Sequence, residues 1–167
     1  MDRAGAERTV DAERLGREAT ALLRAMPELH EALAVGLCGS VARGTAGSRS
    51  DVDVFVVVSD GAASVEDEDR RWYRRVTAAL RPLERSVSVI VYSPGAIRAV
   101  ANWHVLRLAT DAVFIHDIEG RIADLFRRVV AKARASGFEE RTLDGRPYWA
   151  YAGDASKGWK LELGEDE

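Results

Sequence analysis

The sequence predicts an α/β (α+β) domain, a mixed sheet flanked by helices, with a small β-rich appendage at its C-terminal end. Three observations predict it. Short β-branched or fully apolar runs alternate with amphipathic helical patterns through residues 9–135. The run DVDVFVVV at residues 51–58 is too rich in β-branched residues, and too short, for a helix. Beyond Gly137 the composition shifts to aromatics around an Asp-Gly turn signal. Two units follow: a main domain over residues 9–135, and a hairpin-like appendage over 136–167 that packs on it.

Each element has a local cause. Residues 9–25 place Val10, Leu15, Ala19, Leu22, Leu23 and Met26 near one helical face, and Pro27 disfavours helix at Met26. Residues 33–38 (LAVGLC) form a buried strand that ends at Gly39-Ser40, where a loop or short helical turn begins. After the strand at 51–58, Ser64 is expected to cap a helix whose acids, Glu66 to Asp69, sit at the positive end of its dipole. Trp72, Val76, Ala79, Leu80 and Leu83 form that helix's apolar stripe, and its arginines lie opposite. Residues 86–92 (SVSVIVY) are a third strand, and Ser93-Pro94 opens a helix expected to run to about Leu108. A strand at 112–116 and a helix at 120–135 complete the main domain. One sheet covered mainly on one side is the expected layering. Leu143-Asp144-Gly145-Arg146 is the hairpin turn, flanked by Tyr148, Trp149, Tyr151 and Trp159, and the last four residues are expected to fray.

Composition narrows the function classes. Of 167 residues 47% are hydrophobic and 31% charged, which supports a core and a soluble surface. A formal net charge of -3 disfavours a chain devoted to non-specific nucleic-acid binding. Cys38 is the only cysteine, which excludes an internal disulfide and a cysteine-based zinc site. No apolar run approaches the roughly 18 residues a membrane span needs, so a cytoplasmic location is expected.

Residues 36–58 carry the chemistry. An apolar strand delivers Gly39-Ser40 into a tight turn, and after ten further residues the next strand opens with Asp51-Val52-Asp53. Side chains alternate along a strand, so Asp51 and Asp53 share a face. Two such carboxylates repel each other unless a cation lies between them, and Mg²⁺ suits carboxylates and phosphate oxygens. Gly39 lets the backbone approach a phosphate, and Ser40 can donate to it. Arg43 and Gly44 extend the phosphate-facing loop. Ser50 caps the turn or touches a phosphate.

This block resembles the signature of the DNA polymerase β-like nucleotidyltransferases, and more narrowly that of the minimal nucleotidyltransferases. Their pattern is Gly-Ser, ten residues, then Asp-x-Asp, and GSVARGTA also follows their usual continuation. In element order the resemblance extends over roughly residues 10–130. It implies the nucleotidyltransferase fold and Mg²⁺-dependent transfer of a nucleoside monophosphate from a triphosphate, ATP being the expected donor, to a hydroxyl. Asp51 and Asp53 become catalytic residues and ligands for one or two Mg²⁺ ions, while Gly39, Ser40, Arg43 and Ser50 bind nucleotide. The resemblance also implies a partner, since antitoxins of this kind pair with a small helical HEPN-type toxin and modify it with AMP.

One position departs from the family. Its third acid, on a later strand, falls here at Ser88, a poor metal ligand and no general base unaided. Glu84, Asp111 and Asp117 are weaker candidates for that role. A catalytically weak or inactive module that binds nucleotide or a partner is therefore the alternative reading. Transfer to an antibiotic or to RNA is a third. His30, His104 and His116 show no metal-ligand spacing and are read as structural. Cys38 is read as a packed thiol, the arginines from Arg70 to Arg85 as a solvated face, and the C-terminal aromatics as the appendage's own core.

Overall fold

The computed structural model describes residues 3–100, 102–143, 146–153 and 161–164, with side chains from residue 11 onward. Its centre is a four-stranded sheet in the order β3-β2-β1-β4. Strand β1 (Ala34–Cys38) runs antiparallel to β2 (Val52–Val57) and to β4 (Val113–Asp117), whereas β3 (Val87–Tyr92) lies parallel to β2. All five residues of β1 are buried, and in β2 only Asp53 is not fully so. That burial is why both strands read as continuous apolar runs instead of alternating ones.

The sheet is covered on both faces, which corrects the expected one-sided layering. On one face Val52, Val54 and Val56 pack with Leu15, Ala19 and Leu23 of helix α1 (Arg3–Arg24) and with Trp72, Val76 and Leu80 of α4 (Glu68–Leu80). On the other, Phe55 and Val57 pack with Ile97 of α5 (Pro94–Arg98), Leu106 of α6 (Trp103–Asp111) and Phe126 of α7 (Arg121–Ala135). The even and odd residues of β2 thus feed two separate cores. The one-sided expectation failed because a strand buried on both faces carries no alternation from which to read layering.

Two helix expectations also change. Ser64 does not cap α4. It closes the single turn α3 (Asp60–Ala63), which Ser59 caps by accepting from the Ala62 amide at 3.2 Å, and its own hydroxyl donates to the Gly61 carbonyl at 2.7 Å. Of the four acids, Glu68 is buried instead of serving only the dipole, accepting from the Trp72 indole at 2.9 Å and from Arg71 at 2.7 Å. The helix expected from Pro94 to Leu108 is two helices. Val100 at φ 37° breaks it, and Asn102 caps the second by accepting from the Val105 amide at 3.2 Å.

The C-terminal segment pairs β5 (Phe138–Leu143) with β6 (Arg146–Tyr151) in antiparallel register, Leu143 opposite Arg146. The turn residues Asp144 and Gly145, Trp159 and the last three residues lie outside the described residues. Trp149 is buried in the second core and donates to the Thr110 hydroxyl at 3.1 Å, so it packs against α6 instead of forming a separate aromatic cluster. Among the described residues no helix is long and apolar enough to cross a membrane.

Candidate functional site

Antiparallel pairing of β1 and β2 brings the end of one strand beside the start of the next, with Cys38 directly opposite Asp53. Gly39 follows Cys38 and opens the one-turn helix α2 (Gly39–Ala42) at φ 66°, in the left-handed region that favours glycine. A Cβ there would overlap the Asp53 carboxylate. Gly39 is therefore required twice over, by its backbone angle and by the approach of Asp53. The chain then folds back tightly: the Arg43 amide donates to the Gly39 carbonyl at 3.2 Å and the Thr45 amide to the Ser40 carbonyl at 2.9 Å.

Asp51 lies just before β2 and is exposed, whereas Asp53 is half-buried on the strand. Burial pushes the Asp53 carboxyl above its ordinary range, and the charge of Asp51 pushes it further. The Ser88 hydroxyl and the Arg43 guanidinium act in the opposite sense. Ser88 is the parallel cross-strand partner of Asp53, so the position assigned to the third acid does lie beside the pair. Among the described residues, neither Asp51 nor Asp53 forms an ion pair, and no group of three or more His, Cys, Asp or Glu residues is placed to hold a metal. Two carboxylates that repel each other and lack a protein cation between them fit a divalent ion, whose remaining ligands must come from substrate oxygens and water.

A cavity of about 340 Å³ opens beside this pair, lined by Gly39, Asp53 and Arg43 and by Tyr92, His104, Arg107, Leu108 and Asp111. Asp111 sits there, but its carboxylate is engaged by Arg43 at 2.5 Å and by Arg107 at 2.6 Å. The acid thus holds two guanidinium groups at the cavity wall. Arg43, at the C-terminal end of α2, lines the cavity. Ser50 accepts from the Gly47 amide at 2.9 Å and so caps the turn.

The other candidates separate clearly. Asp117 lies at the far end of the sheet and caps α7, accepting from the Ile122 and Ala123 amides at 3.1 and 2.8 Å. Glu84 is exposed in the turn before β3, at φ 49°. His30 and His116 pack edge to face with ring centres 5.1 Å apart, and His116 bonds to the Ala32 carbonyl. Cys38 is buried, and burial pushes its thiol up to about 12, so it stays protonated and inert. Sequence reasoning passed over His104, Tyr92 and Arg107 as cavity-lining residues. The one usable signal was helical spacing, which puts His104, Arg107 and Asp111 on a single face of α6.

Residues 20–102 match the nucleotidyltransferase domain family, a span that contains the Gly-Ser turn, both aspartates and β3. No curated protein matches the chain. Among solved structures, a toxin–antitoxin crystallised with AMP-PNP is 16% identical, covering 72% of this chain and 93% of its own at a TM-score of 0.42. A protein from Sulfolobus solfataricus described as a nucleotidyltransferase is 18% identical, with 71% and 92% covered at 0.41. A mutant of the toxin–antitoxin MntA–HpeT is 14% identical, with 69% and 89% covered at 0.40. With the Gly39-Ser40 turn and the Asp51-Val52-Asp53 strand start inside the matched span, residues 20–102 of the chain belong to the nucleotidyltransferase domain family.

Proposed function

We propose that the chain moves a nucleoside monophosphate, AMP above all, from a nucleoside triphosphate to a hydroxyl of a protein acceptor in the presence of Mg²⁺. One observation carries this reading: a single turn sets Gly39 against the Asp53 carboxylate, and the two line one cavity together with Arg43. Asp51 and Asp53 would hold the metal. When bound, the ion neutralises triphosphate charge and aligns the departing pyrophosphate. Backbone amides at Gly39 and Ser40, with the Ser40 hydroxyl, bind the phosphate oxygens. Arg43, held in place by Asp111, adds a fixed cation at the cavity wall. The acceptor oxygen forms a bond to the α-phosphorus, and its proton passes to water. The bond from that phosphorus to the bridging oxygen breaks, and its electron pair leaves with pyrophosphate.

The most concrete form of this reading is an antitoxin that modifies a small helical HEPN-type partner. Its support is the likeness of the motif at residues 39–53 to the minimal nucleotidyltransferases. The test is to incubate the purified chain and the product of an adjacent gene with labelled ATP, CTP, GTP or UTP and Mg²⁺, then weigh the partner. A mass increase of one AMP is expected. No transfer from any of the four nucleotides sinks the reading.

Ser88 supports a second reading, a module of the same fold that binds nucleotide or a partner without turnover. Ser88→Asp would put a carboxylate beside Asp53, and it should raise transfer if the missing acid limits the reaction.

A further inference from the structure

At the end of the sheet away from Asp53, the residue before β1, the start of α5 and the first turns of α7 enclose a cavity of about 590 Å³. Arg98, Arg121, Arg127 and Arg128 line it, together with the acids Glu119 and Asp124. Its wall therefore carries an excess of two positive charges. Part of this is balanced locally: Glu119 meets Arg121 at 2.5 Å, and Asp124 meets Arg127 at 3.0 Å and Arg128 at 3.1 Å. Arg98 is different. Its Nε is buried and has no hydrogen-bond partner among the described residues. Asp60, the acid whose field reaches Arg98, already accepts from the Gly95 amide at 2.9 Å.

A buried guanidinium N–H with no acceptor is an unfavourable arrangement, and proteins retain few of them. A ligand acceptor entering the cavity removes the penalty. The excess charge and the planar forks of several arginines select the ligand chemistry, because phosphate offers a dianion and several acceptor oxygens, which arginine binds in pairs.

We propose that this cavity is a second anion site, taking the phosphate group of a small ligand and lying at the opposite end of the sheet from Asp51 and Asp53. Arg98 is its anchor, and the more exposed Arg121 and Arg127 close over the bound group. The proposal does not depend on transfer chemistry at the first site.

The test is calorimetric titration of the full chain with inorganic phosphate, pyrophosphate and AMP, at fixed ionic strength and without Mg²⁺. Saturable binding is expected, weakened about tenfold in Arg98→Gln. Thermal melting of the unliganded variant should be unchanged or slightly higher, because a buried unsatisfied donor has been removed. A structural arginine would instead lose stability. Arg121→Gln, at an exposed position, should weaken binding less and serves if Arg98→Gln folds poorly. The Asp51→Asn, Asp53→Asn double variant should bind phosphate as the parent does. Binding of inorganic phosphate marks phosphate itself as the recognised group, whereas binding of AMP alone marks a nucleotide. No saturable binding of any probe, or equal binding by Arg98→Gln and Arg121→Gln, overturns the proposal.

Discussion

The two ends of the β1–β2 pair carry opposite charge and are built by opposite means. At one end Asp51 and Asp53 project from a strand start, and Gly39 is pressed against the carboxylate of Asp53. At the other, four arginines from α5 and α7 surround a larger cavity. The acidic end is held by backbone, since a strand register and a left-handed glycine determine where its carboxylates lie. The basic end is held by side chains on helices, and the Arg98 Nε lacks a hydrogen-bond partner among the described residues. A site made by backbone tolerates substitution badly. One made by long side chains should lose its ligand before it loses its fold.

The largest expected effect breaks the comparison at its acidic end. Asp51→Asn with Asp53→Asn should reduce nucleotidyl transfer by about 100-fold or more, the scale of removing preorganised charge from a reacting centre. Arg98→Gln should leave transfer unchanged, as measured with labelled nucleotide. If the double variant retains full activity, the site assignment is wrong.

Next come the two ends' glycines. Gly39→Ala meets both a positive φ and the Asp53 carboxylate, so it should cost about 2–3 kcal/mol in urea unfolding and abolish transfer. Gly120→Ala at the other end has φ 70° but open space around its Cβ, so only the backbone penalty of about 1 kcal/mol applies. Equal losses would mean that the carboxylate yields to the new methyl group.

Asp111→Asn sharpens the picture of the acidic end's cationic wall. It leaves Arg43 and Arg107 without their shared carboxylate. Because both arginines are partly exposed, the loss should be about 1–2 kcal/mol, below the cost of breaking a fully buried pair. Its Km for nucleotide should change more than its kcat, since Arg43 would lose its place at the wall.

The smallest effects are in pH dependence, and the two ends should differ in sign. Asp60, near the basic end, is held below the usual carboxylate range by the Ser93 hydroxyl and the Gly95 amide. Its stabilisation is present above the unfolded value of about 3.9 and is lost as pH falls through the lower folded value. Asp60→Asn should therefore lower the melting temperature at neutral pH and flatten the acid loss. Asp53 is raised, mainly by burial, so its ionisation in the folded state counts against stability as pH climbs through the folded value. Asp53→Asn should raise the melting temperature slightly at neutral pH without Mg²⁺. A fall instead would show that Asp53 anchors the turn structurally.

Local pattern made much of this molecule legible. The β-branched run at residues 51–58, the apolar run before Gly39 and the serine cap ahead of Pro94 each state their element through nearest-neighbour sterics. The Gly-Ser to Asp-x-Asp spacing is legible for a related reason: ten residues between antiparallel strands return the chain to the end it left, so the motif records its own closure. The hairpin was readable from its Asp-Gly turn signal, but the destination of Trp149 against Thr110 was not.

The sequence by itself determined which residues form strands and helices, and which short segment brings glycine, serine and two aspartates together, because those facts follow from interactions within about twenty residues. Only the tertiary structure decided that helices cover both faces of the sheet, that Val100 divides one expected helix into two, and that Ser88 lies across from Asp53 while Asp111 is engaged by two arginines. It alone placed Asp117 at the opposite end of the sheet from Asp53 and gathered four arginines around one cavity. Burial, register between distant strands and the pairing of charges far apart in the chain are properties of packing, and a strand buried on both faces erases the periodicity that would have announced them.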